Sequence, residues 1–470
     1  GYSQYFQILD LPSLDLVGDA NGTWLNPTDF FQYDFISEFG RDLDLLVNND
    51  NTLFYFTSLS EFFAGPDIYV RKVGIDGQIY WGAPKNLTND PASDNFVRNV
   101  FNTPDGGAFV VFDQIGSEIN GNITIMSSEG DNLEGFPKRI CEIDSNQFIE
   151  DAVDVGVGIF VIWRDNRLDG SSDIYGQLFD YSGNPQGPED GIAIAQYDND
   201  QTNAKITYHD TLNEVLVCWE DYESGIDYNL ACSTVNLANL NVNDIFGRPT
   251  YEIATGQGDQ INVDTYKAEN GNYMIVWEDS RNGPADIFMQ KYVLGQGVQF
   301  EDNGLGVCTA PSTQDQPRLT SDGQGGTYVV WMDERYAPFP ETEIFMQHID
   351  SSGNISFQDN GEPVCDAAGF QFNPLVRNDG NGNAFALWGD MRSGSIGLYV
   401  QHLSPSNGIS LQEEGIELYF GIDGNGLSAK SLYLGNNESL VYWEDRRLGV
   451  IADLTYGQKI YNGWENIVEP

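Results

Sequence analysis

Basic residues are scarce in this chain: 22 Lys and Arg stand against 71 Asp and Glu, a formal charge of −49 over 470 residues. Nothing in so lopsided a balance can neutralise a phosphate backbone or dock on an anionic membrane, which excludes nucleic-acid and membrane-surface binding. Histidine is rarer still, at three residues, and five cysteines are too few for a disulfide-built fold and show no zinc spacing. No apolar run is long enough to span a bilayer, so membrane insertion is not expected. No long window carries the 3.6-residue periodicity of an amphipathic helix, which argues against a helical bundle. An initiator Met and a signal peptide are missing too, and a start at Gly1 is what a processed or trimmed form leads one to expect.

What is present favours strands and tight turns: 51 Gly, 27 Phe, 24 Tyr and 9 Trp. The clearest stretch is Ile159-Phe-Val-Ile-Trp163-Arg-Asp165-Asn-Arg167, continuing to Asp173-Ile-Tyr175-Gly-Gln177. Its pattern is an apolar run, Trp-x-Asp-x-Arg, a polar turn and Asp-Ile-aromatic-x-Gln. Copies follow at Trp219 with Asp221, Trp277 with Asp279 and Arg281, and Trp331 with Asp333 and Arg335. Two more stand at Trp388 with Asp390 and Arg392, and at Trp443 with Asp445 and Arg447. Phe56 and Phe112 head two degenerate copies, and the intervals from Phe56 onward are 56, 51, 56, 58, 54, 57 and 55 residues. Eight matches at so narrow a period define a repeat architecture.

Each repeat parses into four short strands. Around Trp331 these are Gln316–Thr320, Tyr328–Trp331, Glu343–Ile349 and Glu362–Cys365, with Asp-Gly and Gly-Asn pairs at the reversals. The second strand is apolar on both faces, so both of its sides must be covered. A sheet sandwiched between copies of itself meets that demand, and closing the array into a ring removes exposed ends. The expectation is an all-β chain forming a single β-propeller of eight four-stranded blades, with seven as runner-up. Residues 1–43 form an N-terminal extension whose Gln4–Leu9 segment is a candidate closing strand, and 44–470 form the propeller.

The repeated residues read as scaffold, because a catalytic residue is normally unique in its chain. Trp fills the space between blades, and Asp and Arg, two apart at the strand end, form a charge-assisted pair. The Asp before Ile-Tyr faces that Arg across the hairpin, predicting an Asp–Arg–Asp ladder. Gln177, Gln290, Gln347, Gln401 and Gln458 are expected to satisfy backbone groups where blades meet. An anion-binding ring built from the repeated arginines is the sharper alternative. Cys218 and Cys232 lie on neighbouring strands of one hairpin and form a candidate disulfide, whereas Cys141, Cys308 and Cys365 hold matching, core-like places. His348 and His402 are equivalent strand residues, and His209 is the third. No cofactor is required; calcium is a candidate at oxygen-rich turns, with Asp198, Asp200, Asp379, Asn381 and Asp423 as ligands. Departures from the repeat mark contact loops: Phe62 and Phe63, Tyr222 and Tyr228, and Tyr336 with Phe339.

At the Trp-x-Asp-x-Arg…Asp-Ile-Tyr-x-Gln unit the chain resembles a repeat of secreted bacterial β-propellers frequent in Bacteroidota. The resemblance covers roughly residues 44–461, is strongest from 159 onward, and is departed from by the first two repeats. It implies fold and an exported location, family members often carrying a C-terminal sorting domain. It carries over no catalytic residue.

Gly-x-Ser-x-Gly, His-Glu-x-x-His, a phosphate loop and the Ser-x-Asp-x-Gly-x-x-Trp box of sialidase-type propellers are all absent. The functional expectation is therefore a secreted or cell-surface, non-catalytic binding or structural module. Its partner would be a protein, a glycan or, through self-association into a surface layer or filament, the same chain. The alternative is an extracellular polysaccharide- or peptide-processing enzyme with a site in the central channel. Unpaired, non-repeated carboxylates around one pocket would favour that enzyme.

Overall fold

In the computed structural model the described backbone covers residues 44–47, 52–60, 66–74, 80–243, 251–422, 430–435, 438–445 and 454–461, short loop interruptions apart. Four short strands precede residue 25, and side chains are described only within 46–418. Among the described residues there is no helix, hence none long and apolar enough to cross a membrane. The chain divides into two compact units. One comprises Gly1–Tyr208, Leu237–Asn241 and Leu448–Lys459; the other His209–Asn236, Val242–Arg447 and Ile460–Pro470.

In the first unit three consecutive four-stranded antiparallel sheets follow the repeat. The third joins Gln147–Asp154, Gly158–Asp165, Asp173–Asp180 and Ile192–Ala195 in sequence order. The same unit holds Ile8–Asp10, which runs parallel to Leu454–Tyr461 with Asp10 opposite Lys459. In the second unit the sheet around Trp331 joins Gln314–Ser321, Thr327–Asp333, Glu343–Ile349 and Glu362–Cys365. Sheets with the same core of strands surround Trp277 and Trp388, each with a short extra pair at the third strand. A succession of such sheets, one per repeat, is β-propeller-like construction.

The second strand behaves as its composition demands. Tyr273–Asp279, Thr327–Asp333 and Ala384–Asp390 are buried at every position, on both faces. The cores lie between consecutive sheets: Met274 and Val276 pack with Leu319, Val329 and Trp331, and Phe109 and Val111 with Ile149, Val161 and Trp163. A tryptophan removes roughly 200 Å² from water, on the order of 5 kcal/mol as an upper estimate.

Several of the described first strands carry an irregularity that sequence pattern does not announce. Their pairing with the second strand shifts between Ile149 and Asp151, Ile261 and Asp264, Asp315 and Arg318, and Phe372 and Leu375. Asn262, Gln316 and Asn373 take φ of 55°, 52° and 52° there. Such a bulge re-aims the neighbouring side chains and frees local amides for other acceptors.

Candidate functional site

The repeated Trp-x-Asp-x-Arg unit is assembled as a clamp. Trp163, Trp277, Trp331 and Trp388 are buried and donate Nε1–H to Asp165, Asp279, Asp333 and Asp390 at 3.3, 2.8, 2.9 and 3.1 Å. The backbone N–H of Arg167, Arg281, Arg335 and Arg392 binds the same carboxylates at 2.8–3.0 Å, and each guanidinium pairs with them. Each guanidinium also lies over a third-strand ring, Tyr175, Phe288, Phe345 or Tyr399, at 3.8–4.2 Å. A further N–H reaches the carbonyl of Asp190, Asn303, Asn360 or Glu414. The next residue is always glycine, with φ of 77–90°, and a Cβ there would strike the tryptophan ring edge. Sequence reading passed over these four glycines, although their constant place before the fourth strand was a signal.

Several expectations are corrected by this geometry. The Asp–Arg–Asp ladder does not run through the repeats: its third-strand member is Glu343 and Gly397 in two of them, and Asp286 accepts from Asn282 instead. The arginines are committed to their own carboxylates, rings and carbonyls, so they offer no anion-binding ring. The described third-strand glutamines brace their own repeat, not the seam between sheets, and the side chain of Gln458 lies outside the described residues. Gln347 donates to Gln358 O at 2.9 Å and accepts from the amides of His348 and Phe357, and Gln290 does the same with Glu301, Lys291 and Phe300. Ties between sheets come from elsewhere: Asn303 and Asn360 accept the amides of Thr255 and Thr309, and Asp264 that of Leu319.

Cys218 and Cys232 face each other in the antiparallel register and form a disulfide, both fully buried. Cys141, Cys308 and Cys365 are buried free thiols on which Arg167, Arg335 and Arg392 donate at 3.2, 3.0 and 2.9 Å. Burial outweighs those guanidiniums and pushes the thiols up, Cys141 to about 11 and Cys308 to about 12. Trp219 is buried without an acceptor for Nε1 among the described residues, and Glu223 stands where its neighbours carry arginine. Trp443 and Asp445 fall in the strand Glu438–Asp445, but their side chains, with Arg447, lie outside the described residues.

Of the contact-loop residues, Tyr222 and Tyr228 pack against each other at 4.8 Å, and Ile226 between them in sequence is 81% exposed. Tyr336 is 69% exposed, 6.0 Å from Phe345. Phe62, Phe63 and Phe339 lie outside the described residues. Among the calcium candidates, Asp379 accepts the amides of Asn381 and Asn383 through Oδ1 and His402 through Oδ2, so both of its oxygens fasten its own turn. Asp200 accepts Ser172 N at 2.8 Å, the Asp198 carbonyl accepts Gln201 Nε2, and Asp423 is outside the described residues. Among the described residues no three His, Cys, Asp or Glu side chains group to hold a metal.

Two constellations bear on chemistry. His348 lies 2.6 Å from Ser356 Oγ through Nδ1 and 3.0 Å from Asp322 Oδ2 through Nε2, the order of a nucleophile relay. Yet the amides of Ser356 and Phe357 are given to His348 O and Gln347 Oε1, leaving no oxyanion donor beside the hydroxyl. Asp379 and His402 repeat the pair at 3.0 Å in the next repeat, so it fastens turns.

In the second constellation only one carboxyl is unrepeated, since Glu220 Oε1 accepts Asn262 N at 2.8 Å in the repeat before just as Glu278 accepts Gln316 N. After the first-strand glutamines Gln147, Gln201, Gln260, Gln314 and Gln371 come Phe148, Thr202, Ile261, Asp315 and Phe372. Asp315 is half-buried and makes no hydrogen bond or ion pair among the described residues. Burial, then the charges of Glu278, Glu334 and Asp333, pushes its carboxyl up to about 7. Glu278 ends the second strand of the preceding sheet, and its Oε1 accepts Gln316 N at 2.6 Å and Asn262 Nδ2 at 2.8 Å. The glutamate therefore sits against the peptide that follows Asp315, held by the bulge. Burial raises Glu278 as well, but those two donors and Arg318 favour its charged form. Both carboxyls are raised by burial, but only Glu278 has donors that favour its charge, and neighbouring carboxyls so differentiated can supply an acid and a base together. A repeat alignment would have exposed Asp315 as the odd residue; the bulge that brings Glu278 to it has no such signal.

No known family profile and no curated protein matches the chain. Solved structures match in part. A puromycin hydrolase S511A mutant complexed with PGG is 10% identical over 87% of this chain and 59% of that one, with a TM-score of 0.48. A family PL25 ulvan lyase is 10% identical, covering 83% and 86%, with a TM-score of 0.42. An endo-arabinase from Bacteroides thetaiotaomicron VPI-5482 is 12% identical, covering 58% and 99%, with a TM-score of 0.29. The chain thus spans about three-fifths of the puromycin hydrolase it is similar to. At these scores the likenesses carry no argument about activity.

Proposed function

We propose that this chain is an exported polysaccharide-cleaving enzyme built on a closed β-propeller of eight blades, with Asp315 and Glu278 as its acid–base pair. The observation that carries it is Asp315, an unpaired carboxyl at a place where other repeats carry Phe, Thr or Ile. With its carboxyl pushed up to about 7, Asp315 is protonated in a sizeable share of molecules at neutral pH, and that form delivers its proton to the glycosidic oxygen as the bond to the anomeric carbon breaks. Glu278, held by Gln316 N–H and Asn262, supports in its carboxylate form the positive charge that develops on the sugar. A water completes the cleavage, its hydroxide joining carbon and its proton restoring the carboxyl. Export is supported by the buried Cys218–Cys232 disulfide, a bond that persists in oxidising compartments, and by the strong acidity.

The test is release of reducing ends from a panel of polysaccharides by the wild type and by Asp315→Asn. Activity on one class, lowered at least 100-fold in the variant, supports the reading; equal activity in both overturns it. The second reading is a non-catalytic binding module, favoured by Ile226 and Tyr336 standing exposed on loops of the second unit. Glycan binding without turnover by either protein would select it.

A further inference from the structure

Most described arginines are paired with acids, and Arg139, which is not, is held by Asn120, Ile143 O and Gln147. Arg98, Arg164, Arg167, Arg281, Arg335 and Arg392 each lie within ion-pair distance of an Asp or Glu. With more than three acids for every base, a lone guanidinium calls for a physical reason. Arg318 and Arg377 are two such residues, on the first strands of consecutive sheets in the second unit. Neither makes an ion pair among the described residues. Arg318 donates one N–H to Pro317 O at 2.8 Å and Arg377 one to Val376 O at 3.1 Å, which leaves most of each five-donor fork open.

Both side chains leave the same face of their strands. Pro317 and Leu319 are buried while Arg318 and Thr320 are not, and Pro374 and Val376 are buried while Leu375 and Arg377 are not. The strands touch where Asn378 N meets Thr320 Oγ1 at 3.2 Å and Asn378 Nδ2 meets Ser321 O at 2.6 Å. Arg377 therefore stands beside Thr320, and Arg318 two residues back along the neighbouring strand. That spacing is on the order of 10 Å from backbone to backbone, within reach of two long side chains converging on one ligand. Arg318 also follows Asp315 by three residues, across the bulge, and its charge acts on Glu278.

We infer that Arg318 and Arg377 bind the carboxylate or sulfate groups of an acidic polysaccharide and place it against Asp315 and Glu278. This rests on the acid–base reading above and adds the substrate class to it. A polyanion approaches a protein of charge −49 only where guanidinium donors are left open, and neither of these two forks is closed by an ion pair among the described residues. Planar guanidinium suits bidentate contact with both oxyanions. A neutral glycan gains nothing from them.

The test is calorimetric binding of a hexagalacturonate, a sulfated hexasaccharide and neutral cellohexaose to three proteins: wild type, Asp315→Asn, and the double variant Arg318→Gln with Arg377→Gln. The wild type and Asp315→Asn bind at least one anionic probe and not cellohexaose, and binding weakens in about 0.5 M salt. The double variant binds that probe about 10- to 100-fold more weakly with an unchanged Tm. Equal binding of neutral and anionic probes, no binding of any anionic probe, or undiminished binding by the double variant overturns the inference. Anionic binding with no Asp315-dependent cleavage removes the acid–base reading and leaves the anion site standing. Asp315-dependent cleavage of a neutral glycan does the reverse.

Discussion

Asp333 gathers four donors into one buried carboxylate: Trp331 Nε1 at 2.9 Å, Arg335 N at 2.9 Å, Nε at 2.9 Å and Nη2 at 2.6 Å. Its side chain is 0% exposed and that of Arg335 is 12% exposed. Asp333→Ala therefore leaves a guanidinium inside the protein with only Asn360 O, Cys308 Sγ and the Phe345 ring as company. Breaking a buried pair from one side costs about 3–5 kcal/mol, whereas losing an exposed pair costs less than about 1. Adding Arg335→Met removes the stranded charge and keeps the stacking, so the double variant should be more stable than Asp333→Ala alone. Urea unfolding followed by tryptophan fluorescence, with calorimetry as an independent probe, measures both. A loss under about 1 kcal/mol for Asp333→Ala, or a double variant weaker than the single one, would refute the clamp as drawn.

Two further predictions concern other parts of the chain. Replacing Cys218 and Cys232 together by Ala opens a 14-residue separation and should cost about 3 kcal/mol, seen as a lower Tm. Because both sulfurs are buried, reductant should leave the folded wild type untouched, and an unchanged Tm in the variant would contradict this. Asp315 holds its proton up to about pH 7 when folded but only to about 4 when unfolded. Its contribution to stability is thus fully present below pH ~4 and lost as pH rises through 7. Asp315→Asn should flatten the fall of Tm across that window, and an unaltered slope would show the carboxyl to be ordinary.

The repeat was legible because its physics is local. An apolar second strand, a tryptophan every fifty-odd residues and Asp-Gly reversals specify a strand, its burial and its hairpin without reference to anything distant. Cys218 opposite Cys232 was legible for the same reason, since hairpin register follows from the turn between them. The clamp partners were legible as residues but not as contacts. Arg335 was read as one side of a ladder, yet its ring, carbonyl and thiol partners arrive from three separate strands or loops. The glutamines failed similarly: Gln347 reaches a loop ten residues ahead in its own repeat, which periodicity does not distinguish from a seam.

The amino-acid sequence by itself determined the all-β class, the unit of repetition and the burial of the tryptophans at 163, 219, 277, 331 and 388, because these depend on side-chain type at fixed spacing. It also determined the acidity that makes any unpaired arginine conspicuous. Only the tertiary structure decided the environment that the odd carboxyl meets. Asp315 is one of 71 acids in the sequence, and burial beside a neighbouring sheet, which brings Glu278 to within one peptide of it, raises its proton affinity. Proton affinity depends on burial and on charges brought close by the fold, and no spacing along the chain encodes either.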